Sequence, residues 1–119
     1  MDRSRISCVS TLRAKMAQFD VFQNPIATIR HAYPFVVALQ SDFAQYAGQQ
    51  IVAPLVPLDC IPKVISRLTP IVALDGAEHM ILIPALTGMQ TRDLKGRAGS
   101  IAAARSELLA AIDYLFFGV

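Results

Sequence analysis

Asp75-Gly76 stands between two apolar, β-forming runs, residues 70–74 (PIVAL) and 77–84 (AEHMILIP). Asp-Gly tolerates positive φ at both central positions of a type I′ turn, the turn whose twist suits a two-residue hairpin. The stretch is therefore predicted to be an antiparallel hairpin. A lone hairpin is marginal in water, so the rest of the chain has to supply further strands or a helix to cover it.

Short apolar runs upstream supply them. Residues 18–23 (QFDVFQ) alternate, with Phe19 and Val21 on one face and Asp20 and Phe22 on the other, and Asn24-Pro25 breaks the run. Residues 34–40 (PFVVALQ) form a β-branched run whose Pro34 sits at the first position, where no ladder donor is lost. Residues 50–56 (QIVAPLV) make another strand, and Pro54 inside it predicts an edge strand or a bulge, with pairing stopped at Pro57. Residues 61–68 are expected to be one or two helical turns or a loop, and residues 85–99, with Gly88, Gly96 and Gly99, are mixed and are assigned no strand.

From Ser100, a capping residue, the spacing turns helical. Ile101, Leu108, Leu109, Ile112, Leu115 and Phe116 form one stripe, alanines fill much of the rest, and Gly118 is placed for the stop. Five or so strands followed by one C-terminal helix predict an α+β fold, the helix packed on a small curled antiparallel sheet or barrel.

At 119 residues, with 54% hydrophobic and 17% charged, the chain is sized for one domain with its own core and is too apolar to be disordered. The net charge of +2 is unevenly placed. Residues 1–15 hold Arg3, Arg5, Arg13 and Lys15 against Asp2, whereas residues 16–119 carry seven basic against eight acidic residues. That body has no basic run of the kind a nucleic-acid surface uses, so direct nucleic-acid binding is not expected. Residues 1–15 lack a signal-peptide h-region and are read as a disordered or mis-called extension, with Met16 as the start of the domain at 16–119. Cys8 and Cys60 have no C-x-x-C or Cys/His company, which argues against zinc and a disulfide framework and for a reduced, cytoplasmic protein with no membrane association.

Catalytic motifs are absent: there is no G-x-S-x-G, P-loop or G-x-G-x-x-G, and no metal-ligand spacing. His79 reads as a strand histidine. Arg30-His31, in a loop, is the one pair with the chemistry for phosphate contact and proton transfer. Cys60, beside Asp59, reads as an inert thiol. An enzyme is disfavoured, and no catalytic residue, cofactor or metal is assigned. The chain ends Tyr114-Leu115-Phe116-Phe117-Gly118-Val119. Three aromatics in four positions cannot all face one core; Phe116 continues the stripe, and an outward Phe117 beside a glycine reads as an anchor for a protein partner or folds back onto the sheet.

Several pieces, in order, resemble the CcdB family of toxins from type II toxin–antitoxin pairs. They are Gln18-Phe19 with Val21-Phe22, Leu39-Gln40-Ser41-Asp42, Ile51-Val52-Ala53-Pro54-Leu55, Leu68-Thr69-Pro70-Ile71-Val72, and the aromatic-Phe-Gly-aliphatic tail. The resemblance implies an SH3-like barrel with a C-terminal helix and a homodimer. It implies binding to the A subunit of DNA gyrase, trapping of the cleaved gyrase–DNA complex, and neutralisation by a cognate antitoxin's flexible C-terminal segment. It also implies repression of the pair's own operon, with the antitoxin making the DNA contacts. Carried onto this chain, the gyrase-contact positions are Phe117, Gly118 and Val119, with Asp113 and Phe116 on the helix and Phe43 and Ala44 after the second strand.

One departure has consequences. The family's best-known members carry tryptophan at the position of Phe117, and this chain has no tryptophan. Phenylalanine keeps a stacking face but loses area and the indole N–H, which implies weaker poisoning or a shifted target. Two alternatives stand beside the gyrase reading. A MazF-type endoribonuclease shares the barrel, but its Gly-Asp-Ile-Val opening and Arg-Pro strand entry are missing, Tyr33-Pro34 standing in that place, and Arg30 and His31 would carry its chemistry. The other is an inactive paralogue that binds antitoxin alone.

Overall fold

The computed structural model describes residues 17–41, 48–60 and 67–118. The extension at 1–15, Met16, the residues 61–66 expected as a short helix or loop, and the contact positions Phe43, Ala44 and Val119 lie outside the described residues.

Seven antiparallel strands make one sheet: β1 (Asp20–Gln23), β2 (Phe35–Ala38), β3 (Gln49–Pro57), β4 (Ile71–Leu74), β5 (Ala77–Ile81), β6 (Thr87–Gln90) and β7 (Arg97–Ser100). The strand order is β4-β5-β3-β2-β1-β7, with β6 paired to β3. One helix, α1 (Arg105–Phe117), follows. The predicted hairpin is β4–β5, with Asp75 at φ 53° and Gly76 at φ 78°, both positive as a type I′ turn demands.

The sheet curls until its two ends meet. A Cβ built on Gly99, in β7, would lie 3.1 Å from Leu74 Cδ1 in β4, at the other end of the strand order. A side chain here would crowd Leu74, and φ 153° is a conformation that favours glycine. The result is a half-barrel closed at one side, with α1 packed on it, which is the α+β architecture expected.

Side chains sort by parity. Val21, Val37, Ala53 and Leu55 join Leu74, Ile81, Leu108 and Ala111 in the core beneath the helix. Phe22, Val36, Ala38 and Val52 face the other way and pack with Leu94 and Met89. Strands buried on both faces explain why PFVVALQ reads as a continuous apolar run rather than a clean alternation.

Four expectations are corrected. Pro54 lies in the central strand, not at an edge. β3 pairs with β2 along one side; along the other it pairs with β6 through Val52 and with β5 from Leu55. Pro54 falls between those two partners, and its carbonyl accepts the Leu82 N–H at 2.9 Å. N–H and C=O of a strand residue face the same side, so the missing donor falls where the ladder is already interrupted. Residues 85–99 contain two strands, β6 and β7, whose glycines hid them. The helix proper starts at Arg105, and Ser100 is not its cap: it lies ahead of the 3₁₀ turn Ala102–Ala104, whose N-cap is Ile101, and its Oγ accepts the Ala102 N–H at 3.2 Å. Finally, Phe116 and Leu109 do not belong to the buried stripe, which runs through Ile101, Ala104, Leu108, Ala111, Ile112 and Leu115.

His79 is buried in β5, edge-on to Phe35 with ring centroids 5.8 Å apart. Among the described residues no helix is long and apolar enough to cross a membrane.

Candidate functional site

Exposed large hydrophobic side chains mark where a folded surface expects company. Among the described residues they are Leu109, Phe116 and Phe117 on α1, and Ile26 and Ile29 in the β1–β2 connection. These define two places on the surface.

The first is the end of α1. Leu108 and Ala111 are buried against the half-barrel, which sets the rotation of the helix. Residues five and nine positions beyond Leu108 then point outward, because 3.6 residues make a turn, and Phe116 falls at the margin of the buried stripe. Asp113 is accordingly exposed, and Phe116 and Phe117 are 61% and 74% exposed. Gly118 ends the helix in the left-handed conformation, φ 72° and ψ 19°, and its N–H donates to the Tyr114 carbonyl at 3.0 Å. That closure leaves the two phenylalanines on the last helical turn with no loop folded over them among the described residues. An aromatic pair on a helix end, free of intramolecular cover, has the size and exposure of the side chains that fill partner pockets. The alternative, that Phe117 folds back onto the sheet, is overturned by its exposure.

Of the positions that the family resemblance implies for a gyrase contact, the helix thus brings Asp113, Phe116, Phe117 and Gly118 together at one end. Phe43, Ala44 and Val119 lie outside the described residues. Tyr114 is half-buried outside the core cluster, with the Arg67 guanidinium carbon 4.4 Å from its ring centroid. No local sequence signal joins these two residues; they meet only because the turn leading into β4 passes beside the helix.

The second place is a groove between the β1–β2 connection and β6. Its polar part, about 670 Å³, includes Gln23, Arg30, Asp93 and Lys95. Its apolar part, about 270 Å³, includes Ile29, Tyr33 and Val36. Asn24, Ile26 and Met89 line both. Asn24 builds the wall: its side chain donates to the Tyr33 carbonyl at 2.8 Å and accepts the Ile26 N–H at 2.9 Å. The spacing of Ile26 and Ile29 in a segment outside any strand was the signal sequence reasoning passed over.

Arg30 is part of this wall, since its Nε donates to the Asn24 carbonyl at 2.8 Å. His31 is exposed, and among the described residues no hydrogen bond or ion pair joins the two side chains. Arg30 thus has a scaffolding duty and His31 has no orienting partner there, so the pair does not form the dyad that the ribonuclease alternative needs. Among the described residues no group of three or more His, Cys, Asp or Glu comes together as metal ligands.

No individual curated protein is detectably similar to this chain. The family model described as CcdB protein matches residues 18–118. The match takes in the whole half-barrel, the helix and its glycine stop, and with that coverage the chain belongs to the CcdB family.

Proposed function

We propose that this chain is the toxin of a type II toxin–antitoxin pair, that it binds the A subunit of DNA gyrase through the end of α1, and that it traps gyrase on cleaved DNA. The observation carrying this is the pair of exposed phenylalanines on the last turn, closed off by a left-handed Gly118. The mechanism needs no catalytic group in the toxin. Inserting an aromatic anchor into a pocket that exists only in the cleaved-DNA state of the enzyme favours that state by the toxin's differential affinity for it. Resealing then has to proceed against the bound toxin.

Phenylalanine in place of the family's tryptophan sets the strength of this reading. It retains the apolar face and gives up the N–H donor. The outward side of α1 around Leu109, away from the phenylalanine pair, is the surface we assign to a second copy in a homodimer. The groove with Arg30 and Lys95 at one end and Ile29 and Tyr33 at the other has the chemistry for an acidic, partly aliphatic peptide. It is where we place the antitoxin segment. The neutralised pair then represses its own operon, with the antitoxin reading the DNA.

The test is gyrase-dependent linearisation of plasmid DNA by the full chain, by Phe117→Trp, and by a form lacking residues 117–119. The proposal expects linear DNA with the first, at least as much with the second, and none with the third. Linearisation by the truncated form, or none with either full-length chain, would overturn it.

A further inference from the structure

The aromatic anchor sits on the least secured part of the helix. Leu108 and Ala111, the fully buried residues of α1, lie in its first two turns. Beyond them Leu115 is half-buried against the core, and Phe116 and Phe117 are exposed. A helix end with few buried contacts opens locally at little cost. An anchor that samples many directions loses affinity, because ordering it is charged against binding. The electrostatics are unhelpful as well. The helix dipole places partial negative charge at this end, Asp113 adds to it, and the last turn carries no basic residue.

Arg67 answers the first of these problems from outside the helix. It lies on the chain leading into β4, and its guanidinium stacks over the Tyr114 ring at 4.4 Å. Tyr114 is the residue whose carbonyl accepts the Gly118 N–H, so the ring under Arg67 belongs to the residue that closes the helix. A planar guanidinium on an aromatic face restrains both partners.

We infer that Arg67 is a positioning residue for the aromatic terminus: through Tyr114 it holds the last turn of α1 so that Phe117 meets its partner in one direction. The identity of that partner rests on the gyrase reading above; the restraint itself does not. Arg67 is exposed, so the contact is worth a modest amount, and losing it is expected to weaken binding about two- to fivefold.

The chain has no tryptophan, so Phe117→Trp installs a single fluorescent reporter at the anchor. Time-resolved anisotropy of Trp at that position is measured alone and with Arg67→Ala, Arg67→Lys, Tyr114→Leu, Tyr114→Phe, and Arg67→Ala combined with Tyr114→Leu. The fast, local depolarisation should grow with Arg67→Ala and with Tyr114→Leu, and grow no further in the combination. Tyr114→Phe, which keeps the ring, should match the parent, and Arg67→Lys should restore most of the restraint. Thermal melts report whether each variant is folded. Unchanged depolarisation in folded Arg67→Ala overturns the inference. The same substitutions on the Phe117 chain are then measured for binding to gyrase A. Losses that are non-additive support positioning. Additive losses overturn it, because they mean that Arg67 touches the partner itself. If the parent chain does not bind gyrase at all, the gyrase reading fails and the anisotropy alone supports or overturns the positioning role.

Discussion

Replacing Phe117 with alanine separates binding from folding more cleanly than any other substitution in the chain. The ring is 74% exposed. A phenylalanine presents roughly 200 Å², so about 150 Å² stands bare and available to a partner. At about 25 cal/mol per Å², covering it contributes about 3.5 kcal/mol, of which the ring beyond Cβ accounts for about 3. Gyrase affinity should therefore fall about 100-fold. The quarter already buried is worth about 1 kcal/mol at most to the fold, since burial measured against an extended chain is an upper bound. The comparison is Leu108→Ala, whose side chain is fully buried in the same helix and whose loss should cost about 3–5 kcal/mol. Calorimetric binding to gyrase A and thermal melts are run on both variants. Phe117→Ala is expected to lose binding and melt within a few degrees of the parent, while Leu108→Ala melts more than about 10 °C lower. A Phe117→Ala chain that binds within threefold of the parent, or that melts as low as Leu108→Ala, would refute the assignment of the ring to a partner.

Three further outcomes follow from the geometry. The Asp20 carboxylate is 6% exposed and accepts both the Ala17 N–H at 2.9 Å and Arg97 at 3.2 Å, while Arg97 is 52% exposed. Asp20→Ala should therefore cost about 2–3 kcal/mol in urea unfolding and Arg97→Ala about 1 or less, and equal losses would contradict this. Gly76 has φ 78° and open space around its Cβ direction, so Gly76→Ala should cost about 1–2 kcal/mol of backbone strain alone, while Asp75→Asn leaves the urea midpoint unchanged. Lys95→Glu at the rim of the polar groove should weaken binding of a synthetic antitoxin C-terminal segment at least about fivefold and leave gyrase linearisation as it was; a parallel loss of both would place the two partners on one surface.

Local chemistry was readable wherever it acts over a few residues. Asp75-Gly76 announced a type I′ hairpin because positive φ at two successive positions is tolerated by few dipeptides. Gly118 announced the helix stop for the same reason. The alternation of residues 18–23 placed Val21 and Phe22 on opposite faces, and both faces are buried. The order of apolar pieces and the aromatic-Phe-Gly-aliphatic tail pointed to the family that the match over residues 18–118 then showed.

What the tertiary structure decided was everything set by distant neighbours. Pro54 reads as an edge residue in isolation, yet it is central, because two different strands share one side of β3 and leave a gap for it. The glycines of β6 and β7 look like loop, yet Gly99 suits its strand because φ is 153° there and Leu74 from the far end of the sheet crowds its Cβ direction. Phe116 fits a helical stripe by spacing, but the helix is rotated by the burial of Leu108 and Ala111, and that rotation turns Phe116 outward beside Phe117. Spacing determines which residues share a face of a helix; only the packing partner determines which face is inside. Arg67 and Tyr114 meet for the same kind of reason: their contact spans chain segments far apart in sequence, and the curl of the sheet brings them together.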